Sequence, residues 1–165
     1  MMARRLIVLA AVSFFVEAAG CHPAVRPPST SIAADSLVGI VSITGTAFEQ
    51  QLVIRSNDGT TRLSASAADS AALSRMGGIE VLVVGTRAGK SFHVDHFTAR
   101  RVAGASVADG ILRDDAGRLV LETSSGRIPL GNPPATLRNL IGGRVWIGGP
   151  LDTGPNSYGV IVPPR

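Results

Sequence analysis

The sequence contains a single cysteine, a single lysine and few aromatic residues, and these low counts exclude some kinds of fold stabilisation and some classes of partner. One cysteine cannot form a disulfide within the chain, so an apolar core has to hold the fold together. Aromatic side chains make up 4% of the 165 residues, and the basic side chains do not cluster. Because a nucleic-acid groove combines clustered basic residues with stacking aromatics, we expect no nucleic acid among the partners. The formal net charge of +4 is mild.

Motifs for nucleotide or acyl-transfer chemistry are missing as well. The sequence has no Gly-x-Ser-x-Gly nucleophile elbow and no phosphate-binding loop of the Walker or Gly-x-Gly-x-x-Gly type. The pairs Gly77-Gly78 and Gly142-Gly143 are instead typical of helix ends, where glycine adopts a positive φ at little cost. The sequence therefore predicts a protein that is not an enzyme and that needs no cofactor or metal.

The amino terminus carries the clearest motif of the chain. Arg4 and Arg5 precede an apolar run from Leu6 to Val16, which is too short for a membrane span of about 20 residues. The run leads to Ala18-Ala19-Gly20-Cys21. This segment resembles a bacterial lipoprotein signal peptide with its lipobox. The resemblance implies that residues 1–20 are a signal peptide, that Cys21 is lipidated, and that the lipid holds the protein at the membrane of the cell envelope.

Two further points bear on where the protein is located in the cell. In lipoproteins an aspartate after the lipidated cysteine favours the inner membrane, and here that position is His22. The resemblance therefore implies the periplasmic face of the outer membrane rather than the inner membrane. An ordinary cleaved secretory signal, with Cys21 left unmodified near the cut, is the alternative.

The remaining chain divides into a tether and two similar units. Residues 21–36 are rich in proline, serine and threonine, which predicts an extended tether. A first unit at 37–103 and a second at 104–165 then share the same order of apolar segments, which indicates an internal duplication. The residues that align are Gly77-Gly78 with Gly142-Gly143, Leu73 with Leu137, and Arg62 with Arg127.

Each unit reads as three strands, a short helix and two more strands. The turn Ser56-Asn57-Asp58-Gly59 is a strong hairpin signal in the first unit, and the helices are predicted near 68–76 and 134–141. This order resembles the OB-fold, a five-stranded Greek-key barrel. The resemblance implies an all-β fold with two short helices, built as two small OB-like barrels in tandem. One fused β-barrel or sandwich made from both units is the alternative.

The richest group of titratable side chains is His93, Asp95 and His96. Strand alternation places His93 and Asp95 on one face and His96 on the other, so only two of the three reach one ion. Since zinc sites use three or four ligands, we expect no metal site, and His93 and Asp95 are weak candidates only. A small envelope hydrolase that combines Ser91, His93 and Asp95, or a metal-binding protein that uses this cluster, is the alternative function.

Four residues are candidate contacts for a ligand or partner: Arg55, Arg62, Arg127 and Trp146. The OB-like resemblance implies binding across strands two and three, where the arginines are expected to be exposed. Trp146 is exposed if Val145 and Ile147 face the core, whereas its alignment near Leu82 favours a core position. We expect a lipid-anchored, non-enzymatic binding or assembly module of the periplasm, whose partner is an envelope protein or a glycan.

Overall fold

A computed structural model describes residues 34–165, which contain ten strands and two short helices. The prediction of a mostly β fold with two short helices is confirmed. Neither helix in this part of the chain is long and apolar enough to cross a membrane. The strands are β1 (Asp35–Thr46), β2 (Glu49–Ser56), β3 (Gly59–Ser64), β4 (Glu80–Ala88), β5 (Ser91–Val102), β6 (Ala105–Asp115), β7 (Arg118–Thr123), β8 (Gly126–Pro129), β9 (Arg144–Gly148) and β10 (Ser157–Val162). The helices are α1 (Ala67–Ser74) and a 3₁₀-helix (Ala135–Leu140).

Strands β1 to β5 close into a mixed five-stranded barrel. β1 pairs antiparallel with β2 and β4, β2 pairs with β3, and β4 pairs with β5. The circle is completed by a parallel pairing of β3 with β5, in which Leu63 lies opposite Phe92. α1 connects β3 to β4, and the Ser66 hydroxyl caps it by accepting a hydrogen bond from the Asp69 amide at 3.1 Å.

Strands β6 to β10 repeat this pairing order without the closing contact. β6 pairs with β7 and β9, β7 pairs with β8, and β9 pairs with β10. No pairing joins β8 to β10 in the described chain, so the structure shows one closed barrel with five further strands rather than two barrels in tandem. Two features account for the opening: β8 has only four residues and ends in Pro129, which has no amide to donate.

The carboxyl-terminal strand completes the core of the barrel instead. Ile161 of β10 is fully buried in the same cluster as Phe92, Phe97 and Leu73. The Arg75 guanidinium, at the end of α1, donates to the Ile161 carbonyl oxygen at 3.3 Å. A second, smaller cluster around Leu112, Leu121 and Ile147 serves the strands of the second half. The two halves therefore share part of one core.

This sharing leads to a prediction about Ile161. Replacing Ile161 with alanine removes methyl groups from the core of the barrel, and we expect the free energy of unfolding to fall by about 2–5 kcal/mol. The adjacent Val162 is largely exposed, and Val162→Ala serves as the matched control, expected within about 0.5 kcal/mol of the wild type. Urea unfolding followed by circular dichroism measures both. Equal effects of the two substitutions would contradict a shared core.

The register of the two halves agrees with a duplication. Val41 of β1 accepts from the amide of Gly78 at 2.9 Å, and Leu112 of β6 accepts from the amide of Gly142 at 2.8 Å. Both glycines have positive φ, so each ends the segment before β4 or β9. Gly78 and Gly142 are thus equivalent, one residue away from the sequence alignment.

Some residues that align in sequence do not occupy equivalent positions in the two halves. Arg62 lies opposite Val53, whereas Arg127 lies opposite Glu122. By strand register Arg127 corresponds to Thr60, so the two arginines are not copies of one site.

Candidate functional site

A row of four side chains crosses the outer wall of the barrel. Arg101 of β5 lies opposite Glu80 of β4, Glu80 lies opposite Ile40 of β1, and Ile40 lies opposite Arg55 of β2. Val41, next to Ile40, is fully buried, so strand alternation turns the row outward. Arg101 and Glu80 form an ion pair of 3.3 Å between Nη1 and Oε1. We call these four residues the wall row.

A cleft of about 320 Å³ opens over the wall row. Val38 and Ile40 form its apolar part, and they are 39% and 47% exposed. Arg55, Arg100 and Arg101 line it together with one carboxylate, Glu80. An apolar surface bordered by excess guanidinium groups suits a ligand that is apolar and negatively charged at once.

The wall row has a counterpart in the second half, with its charges reversed. Val162, Arg144, Ile111 and Glu122 lie in the same register on β10, β9, β6 and β7. Arg144 replaces Glu80 and Glu122 replaces Arg55, while Ile111 replaces Ile40. The position of Val38 is taken by Asp109, because the sequence Val38-Gly39-Ile40 corresponds to Asp109-Gly110-Ile111.

Two side chains of the second half, Arg144 of the counterpart row and Asp109 beside it, contact β5. The Arg144 guanidinium binds both carboxylate oxygens of Asp109 at 2.8 Å and donates to the Phe97 carbonyl oxygen at 2.6 Å. Asp109 also accepts from the Ala99 amide at 2.8 Å. The Asp109 side chain is only 2% exposed, and Arg144 lies 4.4 Å from the centre of the Phe97 ring. Here the wall of one half holds an extended strand of the other through side-chain bonds to its backbone.

Glycine makes both rows possible. A Cβ on Gly39 would lie 2.3 Å from the Arg55 carbonyl oxygen, and a Cβ on Gly110 would lie 2.4 Å from that of Glu122. Only a residue without a side chain lets the first strand of each half approach the second so closely.

The predicted arginine contacts lie in different places. Arg55 lines the cleft, and its Nε donates to the Ser42 hydroxyl at 3.1 Å. Arg62 lies elsewhere on the barrel wall and donates to the Gln51 side-chain oxygen at 2.6 Å. Arg127 belongs to the second half and lies 3.9 Å from Asp115. The structure does not unite these three arginines in one surface.

Trp146 is a contact between the halves. Val145 and Ile147 face the second core, and Trp146 is half-buried against the core of the barrel. A Cβ on Gly159 would lie 2.5 Å from its Nε1 atom, so the indole packs directly on that glycine. By register Trp146 corresponds to Leu82.

The histidine cluster does not follow simple alternation. A β-bulge occurs where Val84 lies opposite His96 and Gly85 opposite Val94, which leaves Asp95 as the extra residue. His96 is therefore exposed, contrary to the alternation argument, and its Nε2 lies 3.4 Å from the Thr98 hydroxyl.

The rest of the cluster lies open to solvent. His93 Nε2 is 3.8 Å from Asp95 Oδ1, and both side chains are more than half exposed. The serine beside the histidine is Ser64, with its hydroxyl 3.4 Å from His93 Nδ1, rather than Ser91. Residues 34–165 hold no group of three or more side chains placed to bind a metal ion.

Several residues of the cleft were missed by the sequence argument. Val38, Ile40, Glu80, Arg100 and Arg101 come together only through strand register, although the alignment of Val-Gly-Ile with Asp-Gly-Ile was a usable signal. Cys21, the predicted signal peptide at 1–20 and most of the predicted tether at 21–36 lie outside the described residues.

Comparison with family models finds no match for this chain, and comparisons with curated proteins and with solved structures find none either.

Proposed function

We propose that this protein is a non-enzymatic binding or assembly module of the bacterial cell envelope, held at the membrane by lipid on Cys21. In this proposal the closed barrel is OB-like, and β6 to β10 are an open second copy of it. The pairing order shared by the two halves supports the duplication. The proposed location is the periplasmic face of the outer membrane, and residues 21–36 are the proposed tether.

The open cleft over the wall row is the observation that carries this proposal. Val38 and Ile40 are exposed next to each other on the outer face of β1, between arginines. Apolar side chains grouped on a surface and bordered by polar ones mark sites where another molecule binds. In the second half Asp109 and Arg144, the counterparts of Val38 and Glu80, bind the backbone of β5, whereas Val38 and Ile40 are exposed.

A hydrolase built on Ser64, His93 and Asp95 is the second candidate, because one histidine lies between a hydroxyl and a carboxylate. The hydroxyl of Ser64 lies 3.4 Å from His93 Nδ1, and His93 Nε2 lies 3.8 Å from Asp95 Oδ1. Both distances exceed the hydrogen-bond distance of about 3.2 Å or less that is typical between a catalytic nucleophile and its base. The Asp95 carboxylate is also exposed, whereas in a serine protease triad the carboxylate that orients the histidine is buried. We therefore favour binding.

Site-specific photocrosslinking in intact cells tests the binding proposal. p-Benzoylphenylalanine at Ile40 is expected to give a discrete adduct with one envelope component, because the cleft exposes that position. The same group at His93, also exposed on β5, is the control and is expected to give none. An adduct at His93 alone would overturn the proposal and favour the second candidate.

Fractionation of the same cells tests the proposed outer-membrane location and the lipid anchor. The protein is expected with the outer membrane, and Cys21→Ser is expected to move it to the soluble fraction, because stable anchoring requires the lipid chains. A Cys21→Ser protein that stays with the membrane would contradict the lipid anchor.

A further inference from the structure

We infer that the cleft over the wall row binds an extended acidic segment of a partner protein, one that places a carboxylate next to an apolar side chain. This inference rests on the proposed binding function and adds the chemistry of the partner.

The second half shows how such a wall receives a strand. Two of its side chains bind the β5 backbone: Asp109, at the position of Val38, accepts from the Ala99 amide, and Arg144, at the position of Glu80, donates to the Phe97 carbonyl oxygen. β5 is also paired with β4, so these two side chains bind single main-chain groups of a strand that already belongs to a sheet. The barrel has the same register of strands beneath its own row, and an open cleft of about 320 Å³ lies over it where an extended segment could bind.

The charges of the wall row decide which segment fits. Three guanidinium groups and one carboxylate line the cleft, and Glu80 is paired with Arg101. Arg55 donates to the hydroxyl of Ser42, which carries no charge, so its positive charge is not neutralised there. Carboxylates on the partner can therefore form charge-assisted bonds with Arg55 and Arg100, and its apolar side chains can cover Val38 and Ile40.

Other occupants fit less well. A second copy of this chain is one alternative occupant. Because β5 contacts the wall of the second half, the equivalent strand for the barrel wall would be β10 of that copy. β10 has the sequence Ser-Tyr-Gly-Val-Ile-Val and carries no carboxylate. Sugars are bound largely by stacking on aromatic rings, and no aromatic residue lines the cleft. An anionic lipid would supply negative charge, but Asp109 and Arg144 of the second half bind the backbone of a strand, and this favours a peptide.

Peptide binding to the full chain in non-ionic detergent tests the inference. The probe is a fluorescein-labelled heptapeptide of alternating glutamate and valine. The control peptide has lysine in place of each glutamate. We expect the acidic peptide to bind at least about tenfold more tightly than the basic one by fluorescence anisotropy. Arg55→Glu is expected to reverse this preference, and Ile40→Ser is expected to weaken binding of the acidic peptide.

Arg62→Glu is the matched control, because it makes the same change of charge on the same barrel outside the cleft. It is expected to leave the preference for the acidic peptide intact. Equal binding of the two peptides, or an equal loss in Arg62→Glu and Arg55→Glu, would overturn the inference. Binding of the Cys21→Ser protein to phosphatidylglycerol vesicles that is lost in Arg55→Glu and kept in Arg62→Glu, without binding of the acidic peptide, would make lipid the occupant. An Ile40 adduct in cells without acidic-peptide binding would leave the proposed function standing and refute this inference alone.

Discussion

Replacing Asp109 with alanine is expected to lower the free energy of unfolding by about 3–5 kcal/mol, because it leaves the Arg144 guanidinium without its buried partner. The Asp109 side chain is 2% exposed and accepts three hydrogen bonds, two from Arg144 and one from the Ala99 amide. Breaking such a pair from one side is costly, since the remaining charge stays in a poorly solvated place. Urea unfolding of the wild type and the variant gives the difference.

Two controls make the Asp109 result specific. Asp115 lies on the same strand in a solvent-exposed pair with Arg127, and Asp115→Ala is expected to cost less than about 1 kcal/mol. The double variant of Asp109 and Arg144 is expected to cost less than the sum of the two single variants, since their side chains touch. A loss below about 1 kcal/mol in Asp109→Ala would show that this contact does not hold the halves together.

The strands and their turns could be predicted because their signals are local. The hairpin after Ser56 follows from Asp58-Gly59, and β2 ends and β3 begins where that turn requires. The glycines at 78 and 142 have the positive φ that the sequence implied. Alternation did not decide which face of β9 is buried, because Val145, Trp146 and Ile147 are all apolar.

The closure of the barrel and the composition of the cleft could not be predicted in the same way. Both depend on register between distant strands, and one extra residue changes which side chains share a face. The bulge at Asp95 does this to His96, and it is packed against Gly85, where a Cβ would lie 1.8 Å from the His93 carbonyl oxygen. No local pattern at 93–97 contains that information.

The failure of the second half to close has a similar origin. Pro129 and the short β8 were visible in the sequence, but the destination of β10 was not. Ile161 turns to the core of the barrel, and Trp146 packs against the same core. A resemblance in the order of elements therefore predicted the strands of the second half but not their closure.

The second large effect is expected at Phe92. This side chain is fully buried in the core of the barrel and lies opposite Leu63, in the parallel pairing that closes it. Phe92→Ala removes most of a large side chain from that seam, and we expect the free energy of unfolding to fall by about 3–5 kcal/mol. Thermal or urea unfolding, followed by far-ultraviolet circular dichroism, measures the change.

Phe48 provides the matched control for Phe92. It is fully exposed at the tip of the β1–β2 hairpin, so Phe48→Ala removes the same atoms without opening a cavity and is expected within about 0.5 kcal/mol of the wild type. A similar loss in both variants would contradict the placement of Phe92 in the core. Because Ile161 shares that core, we also expect Phe92→Ala to unfold both halves in one transition. A second transition that persists after the barrel unfolds would show that the strands of the second half fold without it.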